Sequence, residues 1–146
     1  MADTIRMAFE GQAFYGAAGA TATTELTNCR DITYELEVEK GDTTVRGTQA
    51  SPAAPPIKTE KVTIRSVSIE VTMLYDSADT NLAAMLTAAF GGLAWALRTK
   101  DYASGVGFNG DVTSSVSRPF PLNGEQVITF TCTPTRDEGR DPTLHA

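Results

Sequence analysis

KVTIRSVSIEVTMLY, Lys61 to Tyr75, is a run of β-forming residues longer than an ordinary strand. Apolar residues stand at Val62 and Ile64, then return at Val67, Ile69, Val71, Met73 and Tyr75. Side chains alternate between faces along a strand, so the apolar face changes parity between Ile64 and Val67. One extra residue, a β-bulge near Arg65 and Ser66, accounts for such a change. Bulges bend strands where they pass from one sheet to another, as in barrels and orthogonal sandwiches. The stretch therefore sets a β architecture.

Upstream, Asp31–Val38 (DITYELEV) predicts a strand with Ile32, Tyr34, Leu36 and Val38 on one face. Its other face is acidic, with Asp31, Thr33, Glu35 and Glu37, and continues to Glu39. Residues 39–60 contain Gly41, Gly47 and SPAAPP at 51–56, which cannot join a central ladder. They read as a long loop, a length that in compact domains marks function or disorder. Residues 1–23, rich in Gly, Ala and Thr, read as an extended arm, and residues 136–146 as a loose charged tail.

Downstream, Asp76 or Ser77 suits a helix N-cap and Gly91 a helix end, with Leu82, Met85, Leu86, Ala89 and Phe90 at helical spacing between them. Strands are then expected from Leu93 to about Tyr102, over Asn109–Ser117 and over Gln126–Thr133, with a turn at FPLNG (120–124). The order is strand, long loop, strand, helix and three strands. This predicts a mainly β domain over 24–135: an antiparallel sandwich or split barrel with one flanking α-helix.

With 146 residues the chain is one domain by length, and its 41% hydrophobic content is that of a globular protein. Net charge is −6 and the 12 basic residues are scattered, so the footprint of a phosphate-backbone binder is missing. The N-terminal MADTIRMAFEGQAFYG lacks the unbroken apolar core of a signal peptide, which makes cytosolic synthesis the expectation. Residues 80–97 carry no charge but are split by Gly91 and Gly92 and are too short and too mixed to span a membrane. Cys29 and Cys132 suit buried thiols, with a disulfide left open by their spacing.

Catalytic patterns fail on context. GVGFNG (105–110) matches a dinucleotide fingerprint, but a strand-like segment follows where a helix is required. His145, the sole histidine, stands next to the last residue, a poor base for a triad or zinc site. Glu35 and Glu37 could mimic a glycosidase pair, but they belong to a continuous solvated face and not to an apolar pocket. No acidic cluster has calcium-loop spacing. The expectation is a protein that is not an enzyme and needs no cofactor.

A surface argument remains. Asn81, Ala84, Thr87 and Ala88 form a second helix face with no charge, where a solvated helix normally carries Lys and Glu. The other face of the long strand shows Ser66, Ser68, Thr72 and Leu74, with Glu70 alone charged. Small neutral surfaces of this kind suit packing against another copy.

The chain resembles the tail tube (major tail) proteins of tailed bacteriophages over Phe14 to Thr135. TTELTNCRDIT (23–33) is similar to the approach to the opening strand, and KVTIRSVSIEVTMLYDSADTNLAAMLTAAF (61–90) to the long strand, YDxxD corner and helix. NGDVTSSVSRPFPLNGEQVITFTCTPT (109–135) is similar to the closing hairpin. The resemblance implies a virion protein, assembled in the host cytoplasm, whose six copies form a ring with a continuous inner barrel, the rings stacking into a hollow tube. It implies partners among other tail components (tape measure, terminator, baseplate or tip proteins) and DNA that passes without specific binding. Gly41, Arg46, Pro52, Pro55 and Pro56 would belong to a loop reaching the next ring. Glu35, Glu37 and Glu70 would form a negative lumen that repels phosphate. The loop departs from the family in carrying ASPAAPP (50–56) instead of Gly and aromatic residues. Two other readings stay open: the inner tube of a contractile injection system, and a monomeric binding module on a virion surface using Tyr102 and Phe108.

Overall fold

Among the described residues seven strands form one sheet in the order β2-β1-β5-β6-β7-β4-β3, with one α-helix packed against β6. The computed structural model describes residues 5–45 and 51–145. The strands are β1 (Gln12–Gly16), β2 (Thr24–Glu25), β3 (Cys29–Asp42), β4 (Glu60–Leu74), β5 (Trp95–Lys100), β6 (Asn109–Ser117) and β7 (Val127–Thr135), with α1 (Thr80–Gly91) between β4 and β5. From β3 onward the order of strands and helix is the one expected from the sequence, in an antiparallel, mainly β fold with one helix; β1 and β2 precede the strands expected. The chain divides into two compact units: a body, up to Tyr34 and from Ser68 onward, and a hairpin, Glu35–Val67.

In the body, the odd-numbered half of the long strand forms the core. Val67, at the boundary, and Ile69, Val71 and Met73 are buried in β4, and across β7 lie Cys132, Phe130 and Ile128, at the positions paired with the last three. Trp95 anchors the next layer: it meets Phe130 edge-on at 6.4 Å between centroids, and its indole N–H donates to Ser114 Oγ at 3.1 Å. Burying each such ring contributes on the order of 2–3 kcal/mol, and the satisfied N–H removes the cost of desolvating it.

Helix α1 begins at Asp79, whose carboxylate accepts from the backbone N–H groups of Asn81 and Leu82 at 3.1 and 3.3 Å. The cap is thus neither Asp76 nor Ser77, the two residues expected; Asp76 instead accepts from Ala78 N–H at 2.9 Å and makes the corner before the helix. Gly92 ends the helix in the left-handed conformation, φ 67°, which other residues adopt only with strain. Leu82 and Met85 are buried as the spacing predicts. Phe90, expected on the same stripe, is 73% exposed.

Three sequence expectations change. The arm is not loose throughout: Gln12–Gly16 pairs along its length with β5, and small Ala13 is buried there. The tail is tied down as well. Asn109 and Thr143 exchange backbone hydrogen bonds at 2.9 and 2.8 Å, Tyr34 donates to Leu144 O at 2.7 Å, and Arg140 lies 3.2 Å from the fully buried Asp111. Gly19 N–H donates to the second Asp111 oxygen at 2.9 Å, so one carboxylate holds both end segments of the chain. The third change is the bulge. Leu74 N–H bonds Asn28 O in the body, and Thr43 N–H bonds Thr59 O in the hairpin. Both lie on one register, so β4 carries no net extra residue against β3.

The glycines of GVGFNG serve close packing. A Cβ on Gly107 would run into the backbone carbonyl of Thr99, and one on Gly105 into the Asp101 carboxylate. The strand β6 follows them. On β7, Pro134 pairs with Val112 of β6 and lies beyond Cys132, the last β7 residue paired with β4. Its missing N–H costs the ladder nothing there.

Candidate assembly surfaces

The hairpin is where the sequence pattern and the burial part company. Its register sets Val38 across from Ile64 and Glu37 across from Arg65. Even-numbered residues of both strands therefore share one face and odd-numbered residues the other. On the even face, Leu36, Val38, Val62 and Ile64 are 50, 43, 45 and 54% exposed. Leu36 and Val38 share a face as the sequence suggests, and among the described residues no second layer covers them. The parity switch marks a change in which face of β4 is apolar, from the buried odd face of the body to the open even face of the hairpin.

The odd face is charged. Glu35, Glu37 and Glu39 stand on β3, and Lys61 and Arg65 on β4 with Thr63 between them; all are exposed. Among the described residues none of these five charges makes an ion pair. Thr63 Oγ1 donates to Glu39 O at 3.1 Å. Of the three acids expected in a lumen, Glu35 and Glu37 are brought side by side here. Glu70 belongs to the body, exposed on β4 at the position paired with Thr131 of β7.

Among the described residues both edges of the hairpin are open. β3 is the last strand of the sheet, and β4 pairs with β7 only from Ile69 to Leu74. The outer side of β4 from Glu60 to Val67 thus has no strand beside it among the described residues. Threonines fasten the hairpin near its tip. Thr43 and Thr59 hydroxyls are 2.9 Å apart, and Thr59 N–H donates to Thr44 Oγ1 at 2.9 Å. Thr44 N–H donates to the Asp42 carboxylate at 2.8 Å, which holds that carboxyl below its ordinary value.

The strands extend into what the sequence presents as loop: Gly41 lies inside β3, its missing side chain leaving room for Thr63, whose Cγ2 would be 3.2 Å from a Cβ. Pro52, Pro55 and Pro56 are exposed beyond the strand ends, and Arg46 lies outside the described residues. On α1, Thr87 is exposed and donates to Ala83 O at 2.9 Å, whereas Asn81, Ala84 and Ala88 are already half-buried. Apolar surface is instead open at the end of the helix, at Phe90 and Leu93.

The two thiols are free. Burial pushes Cys132 up to about 12 and Cys29 up to about 11, the latter with help from the nearby Asp31 charge. Both stay protonated at neutral pH. Among the described residues no group of His, Cys, Asp and Glu could hold a metal ion, and no helix is long and apolar enough to cross a membrane.

Solved structures share this architecture nearly end to end. The fold is that of a tail tube protein. A chain from the tail of an empty gene transfer agent particle, refined with helical C6 symmetry, superposes with a TM-score of 0.69 at 16% identity, covering 97% of this chain and all of that one. A chain from the native gene transfer agent virion gives 0.67 at 13% identity, covering 97% and 100%. The SPP1 tail tube gives 0.59 at 12% identity over 88% of this chain and 75% of that one. No family model and no curated protein matches the sequence.

Proposed function

We propose that this chain is the structural subunit of a phage-type tail tube, present in the virion, whose copies join into rings that stack around a channel for the genome. The observation that carries the reading is the hairpin: two long strands with both edges open and one apolar face uncovered. Isolated two-stranded ribbons are marginal in water, and open strand edges invite pairing. The two edges are different surfaces, β3 on one side and the Glu60–Val67 stretch of β4 on the other. Joining β3 of one copy to β4 of the next is a head-to-tail contact, which closes into a ring when the rotation permits. The C6 symmetry of the gene transfer agent tail supports six copies per ring.

Leu36, Val38, Val62 and Ile64 would then be covered in the assembly, while the charged odd face suits a water-filled channel. Exposed Pro52, Pro55 and Pro56 and the segment around Arg46 would reach the adjoining ring. Other tail components would cap the tube at its ends, and DNA would pass without specific contacts. The chemistry required of the subunit is packing alone, with no catalytic role.

Concentrated protein viewed by negative-stain electron microscopy should show rings or tubes. A solution that holds only the 15.5 kDa chain, even at high concentration, after salt additions and with preformed tube ends as nuclei, would overturn the proposal.

A further inference from the structure

The odd face of the hairpin distributes its charges by strand. The edge strand β3 carries only acids there, Glu35, Glu37 and Glu39, while β4 carries only bases, Lys61 and Arg65. We propose that the acid row of one copy lies against the base row of the next, so that charge complementarity selects head-to-tail pairing of β3 with β4. The inference rests on the ring reading above and adds which side chains set the partner and the polarity of the joint.

Three observations carry it. The five side chains are exposed and, among the described residues, unpaired, so each is available to a second copy. They share one face, and strands joined edge to edge keep that face in common, which brings the two rows to cross-strand distance. The acids recur at every second position, so a slip of the joint by two residues still sets an acid near each base. The alternative joints are penalised. β3 against β3 would align three carboxylates with three carboxylates, and β4 against β4 would align cations with cations; like charges directly opposite destabilise a strand pair. The carboxylates expected to repel passing phosphate are thus largely neutralised by the neighbour's cations, and the face retains one net negative charge per copy.

The test uses two full-length variants with opposite changes. One carries Glu35→Lys, Glu37→Lys and Glu39→Lys; the other carries Lys61→Glu and Arg65→Glu. Each alone has a single sign on both edges and should assemble only at concentrations raised about tenfold or more, from the loss of several ion pairs per ring. Mixed in equal amounts, they should assemble near the wild-type concentration, because acid edges then meet basic edges alternately around the ring. A neutral pair, with Gln at the same positions, should weaken assembly singly and gain nothing from mixing. Light scattering and electron microscopy read the outcome, with circular dichroism confirming that each variant folds. Where wild-type protein forms tubes and the reversed variants do so equally well alone, or fail to recover on mixing while remaining folded, the charge pairing is refuted and the tube reading stands. Wild-type protein that never assembles refutes both.

Discussion

The body and the hairpin share the two long strands, β3 and β4, yet they handle apolar residues in opposite ways. In the body β4 buries Ile69, Val71 and Met73 completely against β7 and its neighbours. In the hairpin Val62 and Ile64, no less apolar, remain open beside Leu36 and Val38. Strand propensity is equal in the two; what differs is whether the chain itself supplies the second layer. The body covers its apolar face with its own strands, whereas the hairpin leaves an apolar face exposed and, among the described residues, its edges unpaired.

Substitutions should separate the two regions by what they damage. Phe130→Ala removes a ring packed against Trp95 at the centre of the body and should cost about 3–5 kcal/mol, read by denaturant unfolding of the monomer. A cost below about 1 kcal/mol would mean that the body is not the stable region described here.

The thiols give a pH window. Both are raised from the ordinary 9.0, Cys132 to about 12 and Cys29 to about 11. The fold therefore favours their protonated forms. Their contribution is fully present below about pH 9 and is lost as pH rises toward 11–12, where the unfolded chain gains by ionising first. Unfolding midpoints measured from pH 7 to 11 should fall above 9, and a Cys132→Ala variant should fall less steeply.

At the helix, Asp79→Ala leaves the N–H groups of Asn81 and Leu82 without their acceptor and should cost about 1 kcal/mol. The same change at Asp76, which caps only the corner, should cost less in the same melt. The smallest effect on monomer stability is expected in the hairpin: Ile64→Ser should shift the unfolding free energy by less than about 0.5 kcal/mol. The same variant should lose assembly, seen as absent tubes by microscopy. A large destabilisation there would erase the contrast between the two regions.

Much of this was legible before any coordinates. Alternation in Lys61–Tyr75 and Gln126–Thr133 located the central strands because burial on one face enforces period two. The spacing of Leu82 and Met85 located the helix. Gln12–Gly16 was missed because it is short, lies in a segment rich in Gly, Ala and Thr, and has its partner, β5, far along the chain; local pattern carries no record of such pairing. The change of parity after Ile64 was visible, but a monomer-based reading could explain it only by a bulge. It coincides with the passage from an exposed apolar face to a buried one, which alternation alone cannot distinguish. The candidate acids show the same limit: Glu35 and Glu37 were seen as neighbours, whereas the bases sharing their face emerge only once the register with β4 is known.

Pro134 leaves one position of β7, beyond the ladder with β4, without an N–H to offer. A rogue strand sliding along β7 past Cys132 would meet an imino acid with no proton to offer, and would lose a rung of the ladder at its first foothold. A ladder added there would be one bond poorer, whereas the hairpin strands Cys29–Asp42 and Glu60–Leu74 contain no proline.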